Sequence, residues 1–170
     1  MKSLFVLIFG LALGLGTGYA LWGTAVANVE LPSLSDGGFP PVSEIEWDDG
    51  DSGRLRFEGH PFDIDFRVKD WDAPETGGVG AAVGAAKCEQ ERELGRMAER
   101  FVEELTKTGA VKITAAYGRD RTARKRHLVD IAVDDVDLAF TASEAGYLKS
   151  WRHEDGTEIE SRPNWCESDR

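Results

Sequence analysis

The chain has 170 residues, enough for one folded domain with an N-terminal extension. Hydrophobic residues make up 41% of it, as in ordinary globular proteins, but 31 acidic against 20 basic side chains give a net charge of −11. Because an acidic surface repels polyanions, this charge argues against strong, metal-free binding of long duplex DNA. A metal-dependent site, or a short or single-stranded substrate, remains compatible with it.

The N-terminal segment, residues 1–27, is strongly hydrophobic, and the uncharged run 4–29 is long enough to cross a bilayer. One interpretation is a cleaved secretory signal ending at Ala25-Val26-Ala27. The other is a retained membrane anchor, which the length of the run and the position of Trp22 favour. On either interpretation the domain that follows lies outside the cytoplasm, either on the cell membrane or in the periplasmic or secreted space.

A linker, a domain and a tail are predicted after this segment. Residues 28–43 carry three prolines and a Gly-Gly pair with little periodicity, which is typical of a linker. We expect the folded domain over residues 44–152 and a polar C-terminal tail over 153–170.

A β-hairpin is predicted at the start of the domain. Alternating apolar residues at 55–57 and 62–68 flank the turn Glu58-Gly59-His60-Pro61, the pattern of two paired strands with one buried face. Asp51 precedes the first strand and Asp72 follows the second, so antiparallel pairing can bring the two carboxylates together.

Two further charged residues belong to this predicted patch. Arg67 lies near the end of the returning strand, and Glu75 follows Asp72. Carboxylates packed this closely repel one another unless a cation lies between them. Ligands that are all oxygen atoms favour a hard ion, Ca²⁺ or Mg²⁺, over zinc.

The rest of the domain alternates between predicted loops, helices and strands. The glycine-rich run 76–86 lacks the spacing of a dinucleotide-binding loop and is predicted to be a mobile loop beside the site. The stretch 118–127 is the one strongly basic segment of the chain. Apolar periodicity predicts the following elements: a helix over 87–107, strands over 111–117 and 128–133, a turn at Asp134-Asp135, and a short helix over 136–147. In the long helix the charged residues, Glu91 among them, are predicted to form a solvated face. The predicted buried stripe consists of Leu94, Met97, Ala98, Phe101, Val102 and Leu105.

The chain has two cysteines, Cys88 and Cys166. In a protein outside the cytoplasm an even pair predicts one disulfide, which would tie the tail to the domain. Two free buried thiols are the alternative.

The acidic and basic motifs resemble those of the thermonuclease (staphylococcal nuclease-like) family over residues 44–151. The resemblance is carried, in order, by Asp49-Gly50-Asp51-Ser52, by Arg67, and by Asp72-Ala73-Pro74-Glu75. It implies a β-rich α+β fold, namely a five-stranded Greek-key barrel of the OB type with two or three helices. In this chain the hydrophobic N-terminal helix would precede that barrel.

The resemblance also implies a catalytic arrangement. Asp51, Asp72 and the main-chain carbonyl of Ala73 would hold Ca²⁺, in preference to Mg²⁺. Glu75 would orient or deprotonate the attacking water.

Arg67 and a second arginine would bind the phosphate oxygens. The second arginine is Arg126 when counted back from the following strand, and Arg124 when counted from Asp120.

The implied reaction is hydrolysis of phosphodiester bonds in single-stranded DNA or RNA, leaving 3′-phosphates, by a catalytic domain expected to be monomeric. Thr122 stands where the family carries a tyrosine, so an aromatic surface for stacking a base is missing there. This difference, the two possible positions of the second arginine and the net charge of −11 favour an alternative, a non-catalytic OB module tethered to the envelope. An uncleaved N-terminal helix would make the membrane a second partner.

Overall fold

The computed structural model describes residues 29–32, 38–154 and 157–166. The predicted signal peptide or membrane anchor lies outside the described residues. Within them, no helix is both long enough and apolar enough to span a membrane.

The described chain forms a mixed sheet, two helices and two small two-stranded ladders. The elements in chain order are β1 (Val42–Trp47), β2 (Ser52–Phe57), β3 (Ile64–Val68), β4 (Trp71–Asp72), α1 (Glu89–Thr108), β5 (Val111–Arg119), β6 (His127–Val133), β7 (Val136–Asp137), α2 (Leu138–Glu144), β8 (Lys149–Ser150), β9 (His153–Glu154) and β10 (Thr157–Glu158).

The main sheet has the strand order β1-β2-β3-β6-β5, and β7 pairs with β6. The β3–β6 pair is parallel, and the other pairs of this sheet are antiparallel. The β-rich α+β class is therefore confirmed, with two helices in the described part of the chain.

The sheet is not closed into the predicted barrel. In the described chain no hydrogen-bonded ladder joins β1 to β5, so these strands are the two edges of the sheet. They approach each other, but a groove lined by Thr106 and Lys107 of α1 separates them, together with the Gly109–Ala110 turn that follows. The last turn of α1 thus lies where the closing pair of strands would have to meet.

The predicted hairpin is confirmed as β2 and β3, but its second strand begins at Ile64, and Phe62, predicted on the buried face, is 61% exposed. Its alternating pattern places Leu55, Phe57, Ile64, Phe66 and Val68 in the core, where each is at most 2% exposed. Burial of a large apolar side chain contributes about 1.5–3 kcal/mol. These residues therefore fix the register, and with it the position of the hairpin's acidic end.

The long helix is confirmed, but its buried face differs from the predicted stripe. Met97 was predicted to be buried and is 39% exposed, whereas Glu91 was assigned to the solvated face and is 2% exposed. The buried positions are instead Glu91, Gly95, Ala98, Val102 and Thr106. Glu91 is tolerated there because its carboxylate accepts a hydrogen bond from the Lys87 amide at 2.6 Å.

The second half of the domain follows the predicted order. Asp134 and Asp135 both have positive φ, 52° and 65°, and form the tight turn between β6 and β7. The last helix is shorter than predicted. Asp137 caps it by accepting the Phe140 amide at 2.7 Å, and the residues before it pair with β6.

Candidate functional site

The end of the β2–β3 hairpin places Arg67 between two buried carboxylates. Its Nη2 atom donates to Asp51 Oδ2 at 2.9 Å and to the Trp71 carbonyl at 3.2 Å, and it lies 3.6 Å from Asp72 Oδ1. The register pairs Ser52 with Arg67, which places the neighbouring Asp51 at the same end of the ladder. The structure therefore brings together Asp51, Arg67 and Asp72, which the sequence assigned to one patch.

Asp51 is 3% exposed and is held through one of its carboxylate oxygens. Its Oδ2 atom also accepts the Ala73 amide at 2.9 Å, so the main chain at Ala73 is fixed against it. Burial raises the pKa of Asp51, while the charge of Arg67 opposes that rise. Its other oxygen, Oδ1, accepts no hydrogen bond from the described residues.

Asp49 shapes the turn that presents Asp51. Its Oδ1 atom accepts the Asp51 amide at 3.0 Å and the Ser52 amide at 2.7 Å, so one carboxylate oxygen organises the turn. Burial and the nearby charge of Asp51 raise the pKa of Asp49 to about 7.

Both oxygens of Asp72 are taken by residues of the C-terminal tail. Arg162 Nε donates to Oδ1 at 2.9 Å, and the Trp165 indole Nε1 donates to Oδ2 at 2.9 Å. Asp72 is fully buried, and burial raises its pKa against the effect of these partners. Neither Arg162 nor Trp165 was predicted to reach the site; the nearby Cys166 was the one signal in the sequence that placed this segment on the domain.

Glu75 joins the same cluster through Arg162. Arg162 Nη2 donates to Glu75 Oε1 at 2.7 Å, so one guanidinium connects Asp72 and Glu75. A Cβ placed on Gly84 would lie 4.0 Å from Glu75 Oε2, so the glycine-rich loop borders the site as predicted. Oε2 itself accepts no hydrogen bond from the described residues.

The two candidates for the second arginine lie in different surroundings. Arg126 is 9% exposed, its Nε atom donates to Asp120 Oδ2 at 2.8 Å, and its charge is close enough to lower the pKa of Asp51. Arg124 instead pairs with Asp48 at 2.8 Å and Asp65 at 3.3 Å on the exposed face of the hairpin. Of the two, Arg126 is the one whose charge acts on the Asp51 carboxylate.

An aromatic side chain lies among these arginines. The guanidinium carbon of Arg67 is 5.4 Å from the centre of the Trp151 ring, and that of Arg162 is 5.3 Å from it. Trp151 also donates from its indole nitrogen to the Glu160 carbonyl at 3.2 Å, which attaches the tail beside the ring.

The predicted disulfide is present in the structure, because the sulfur atoms of Cys88 and Cys166 are at bonding distance with their Cα atoms 5.9 Å apart. It fixes the end of the tail to the start of α1. The two sulfurs and a Glu91 oxygen lie within 4.8 Å of one another. As both sulfurs belong to the disulfide, neither is available as a thiolate ligand for a metal.

The acidic residues fit a cation, since the structure already places a guanidinium between Asp72 and Glu75. Asp51 has one oxygen free of hydrogen bonds from the described residues, whereas Asp72 has none. A metal ion held by Asp51 and Asp72 would therefore have to share or displace the contacts that Arg162 makes.

No protein-family model matches this chain, and no curated protein matches it.

Proposed function

We propose that this protein is a nuclease of the thermonuclease type, hydrolysing phosphodiester bonds on an OB-type domain outside the cytoplasm. The strand order β1-β2-β3-β6-β5 with a parallel β3–β6 pair supports the OB-type assignment, as does the single long helix between β3 and β5. The edge strands β1 and β5 would then be the two sides of an incompletely closed barrel.

The observation that carries the proposal is the set of guanidinium groups beside buried carboxylates. Arg67 and Arg126 are each anchored by a carboxylate through one nitrogen. In each arginine the other two guanidinium nitrogens donate to no acceptor among the described residues, and none of these four nitrogens is a buried, unsatisfied atom. Two fixed arginines with free donors can bind the oxygens of one phosphate and stabilise the charge that develops on hydrolysis.

Glu75 is the proposed general base. It lies in the loop directly after Asp72, and its Oε2 atom has no hydrogen-bond partner among the described residues. A free carboxylate oxygen beside a phosphate-binding site can accept a proton from water as that water attacks. In the proposed site, Asp51, Asp72 and the carbonyl of Ala73 would hold Ca²⁺, which supplies Lewis acidity and neutralises charge when bound.

The proposed substrate is a single strand of DNA or RNA, with 3′-phosphate products. The basic segment 118–127, which contains Arg126, supplies positive charge beside the site, within an otherwise acidic protein. Trp151, close to both Arg67 and Arg162, provides an aromatic side chain near the site although Thr122 is not aromatic.

The test is hydrolysis of a fluorescently labelled single-stranded oligonucleotide by the full-length chain, with calcium and with a calcium chelator. We expect cleavage with calcium only, and loss of cleavage in Arg67→Gln. Arg54→Gln is the matched control, because Arg54 lies on the same hairpin and, among the described residues, forms an ion pair only with the exposed Glu46.

The competing function is a non-catalytic OB module, and the occupation of both Asp72 oxygens by Arg162 and Trp165 favours it. Binding of the oligonucleotide without cleavage, in calcium and at every ionic strength tested, would select this module and reject the nuclease.

A further inference from the structure

The C-terminal segment 157–166 contributes a cation to the acidic site. The Arg162 guanidinium donates from two nitrogens to two different carboxylates, Asp72 at 2.9 Å and Glu75 at 2.7 Å. Trp165 takes the remaining oxygen of Asp72. The charge that two close carboxylates require is therefore supplied here by the protein's own chain.

A divalent ion on Asp72 would need the electron pairs that these contacts use. It would also lie within a few ångströms of the fixed charge of Arg162. Like charges at such short separation repel strongly near a protein surface, and the repulsion is greater for a divalent ion than for a monovalent one. Simultaneous occupancy of Asp72 by the metal and by Arg162 is therefore strongly disfavoured.

We propose that Arg162 and a divalent cation compete for Asp72, so that the C-terminal segment holds the site in a closed form and metal binding requires Arg162 to withdraw. The choice of calcium as the probe rests on the proposed nuclease function. The competition itself requires only that the carboxylates bind a hard cation.

The disulfide keeps the competitor close to the site. Cys166 is bonded to Cys88 at the start of α1, only four positions beyond Arg162, so Arg162 remains near its carboxylates after it detaches. A short tether of this kind gives a side chain a high effective concentration at its site. Arg162 itself is 33% exposed, so its withdrawal toward solvent does not require the core to open.

The first test is calorimetric titration of the full-length chain with Ca²⁺ in 0.15 M KCl. We expect Arg162→Gln to bind calcium at least tenfold more tightly than wild type. Arg152→Gln is the matched control, because Arg152 is an exposed arginine of the same region whose side chain makes no ion pair with the described residues. We expect its affinity to equal that of wild type.

The tether is tested by replacing both cysteines. In Cys88→Ser/Cys166→Ser we expect calcium affinity between those of wild type and Arg162→Gln. Serine is also a good N-cap residue, so the start of α1 is preserved. When Arg162→Gln is already present, replacing the two cysteines should not change the calcium affinity further. Equal or weaker calcium binding in Arg162→Gln than in wild type would overturn the proposal.

A second measurement avoids variants that fold poorly. In the ¹⁵N-labelled wild-type chain, saturating calcium should move the Arg162 Nε–H signal and the Trp165 indole N–H signal together. Both report on Asp72. Calcium binding that leaves both signals in place would also reject the competition.

Cleavage assays on the same variants separate this proposal from the nuclease assignment. Competition without cleavage in any variant rejects the nuclease alone. Calcium-dependent cleavage with an affinity that does not depend on Arg162 rejects the competition alone.

Discussion

The backbone of Gly95 lies directly against the backbone of Glu75. A Cβ at Gly95 would come within 2.6 Å of the Glu75 carbonyl oxygen and 2.8 Å of the Pro74 carbonyl oxygen. The long helix therefore supports the loop that carries the proposed general base, and only glycine allows so close an approach.

Replacing Gly95 with alanine should displace this loop. At an open helix position the change from glycine to alanine would stabilise by up to about 1 kcal/mol. Here we expect it to destabilise by about 1–3 kcal/mol, because the new methyl group meets backbone atoms that cannot rotate away. Urea unfolding measures the stability, and the oligonucleotide assay should show reduced turnover.

Gly80→Ala is the control for Gly95→Ala. A Cβ at Gly80 meets no atom within 4 Å, so this change in the neighbouring loop should leave stability within about 0.5 kcal/mol of wild type. A Gly95→Ala variant more stable than wild type would show that the backbones of the helix and the loop are not in close contact at this position.

Glu75→Gln should remove the proposed base while preserving the surrounding contacts. The amide oxygen of glutamine can still accept the hydrogen bond from Arg162, but it cannot take a proton from water. We expect turnover to fall by about 10²–10⁴-fold, the usual contribution of a general base, with no weakening of calcium binding. Glu58→Gln, in the exposed hairpin turn, is the control. Unchanged turnover in Glu75→Gln would remove this residue from the mechanism.

The hairpin and its acidic end could be predicted because their signals are local. Alternating apolar residues fix which face of β2 and β3 is buried, and the same alternation fixes their register, because a slip of one residue would turn that face to solvent. Once the register is set, Asp51 and Arg67 must lie at the same end. The parallel β3–β6 pair and the unclosed edges could not be predicted in this way, since they depend on contacts between segments far apart in the chain.

Arg162 could not be selected from the sequence by the same reasoning. It lies 90 residues from Asp72 and 87 from Glu75 along the chain, in a polar tail without periodicity. The paired cysteines predicted that this tail returns to the domain, but not which side chain would reach the carboxylates. Likewise Asp49 and Asp120 have the appearance of ordinary turn residues, and only the fold shows them holding Asp51 and Arg126.

Arg67→Met should destabilise the fold strongly. Arg67 is the cation in contact with both Asp51 and Asp72, and its removal leaves the Asp51 carboxylate buried without its ion-pair partner. Breaking a buried ion pair in this way costs about 3–5 kcal/mol. Arg54→Met breaks an ion pair whose side chains are 49% and 60% exposed and should cost no more than about 1 kcal/mol. Equal free energies of unfolding for the two variants would show that the charge of Arg67 does not stabilise the buried carboxylates.

His127 should make the stability depend on pH in the mildly acidic range. The side chain is 4% exposed, and its Nε2 atom lies 3.1 Å from the Val29 carbonyl, which requires that nitrogen to carry a hydrogen. Burial lowers the pKa of His127 below its ordinary value of 6.5, an effect only partly opposed by the hydrogen bond to Val29. In the unfolded chain the imidazole regains the ordinary pKa, so between the two values the unfolded state binds more protons.

Stability should therefore fall as pH drops from 6.5 through the folded-state pKa of His127, and this contribution should be constant above that range. His127→Gln keeps a donor for the Val29 carbonyl but does not titrate. We expect the free energy of unfolding of wild type relative to His127→Gln to decrease between pH 7.5 and pH 5, as measured by urea unfolding at several pH values. A difference that stays constant, or increases, as the pH falls would show that burial does not disfavour the charged imidazole.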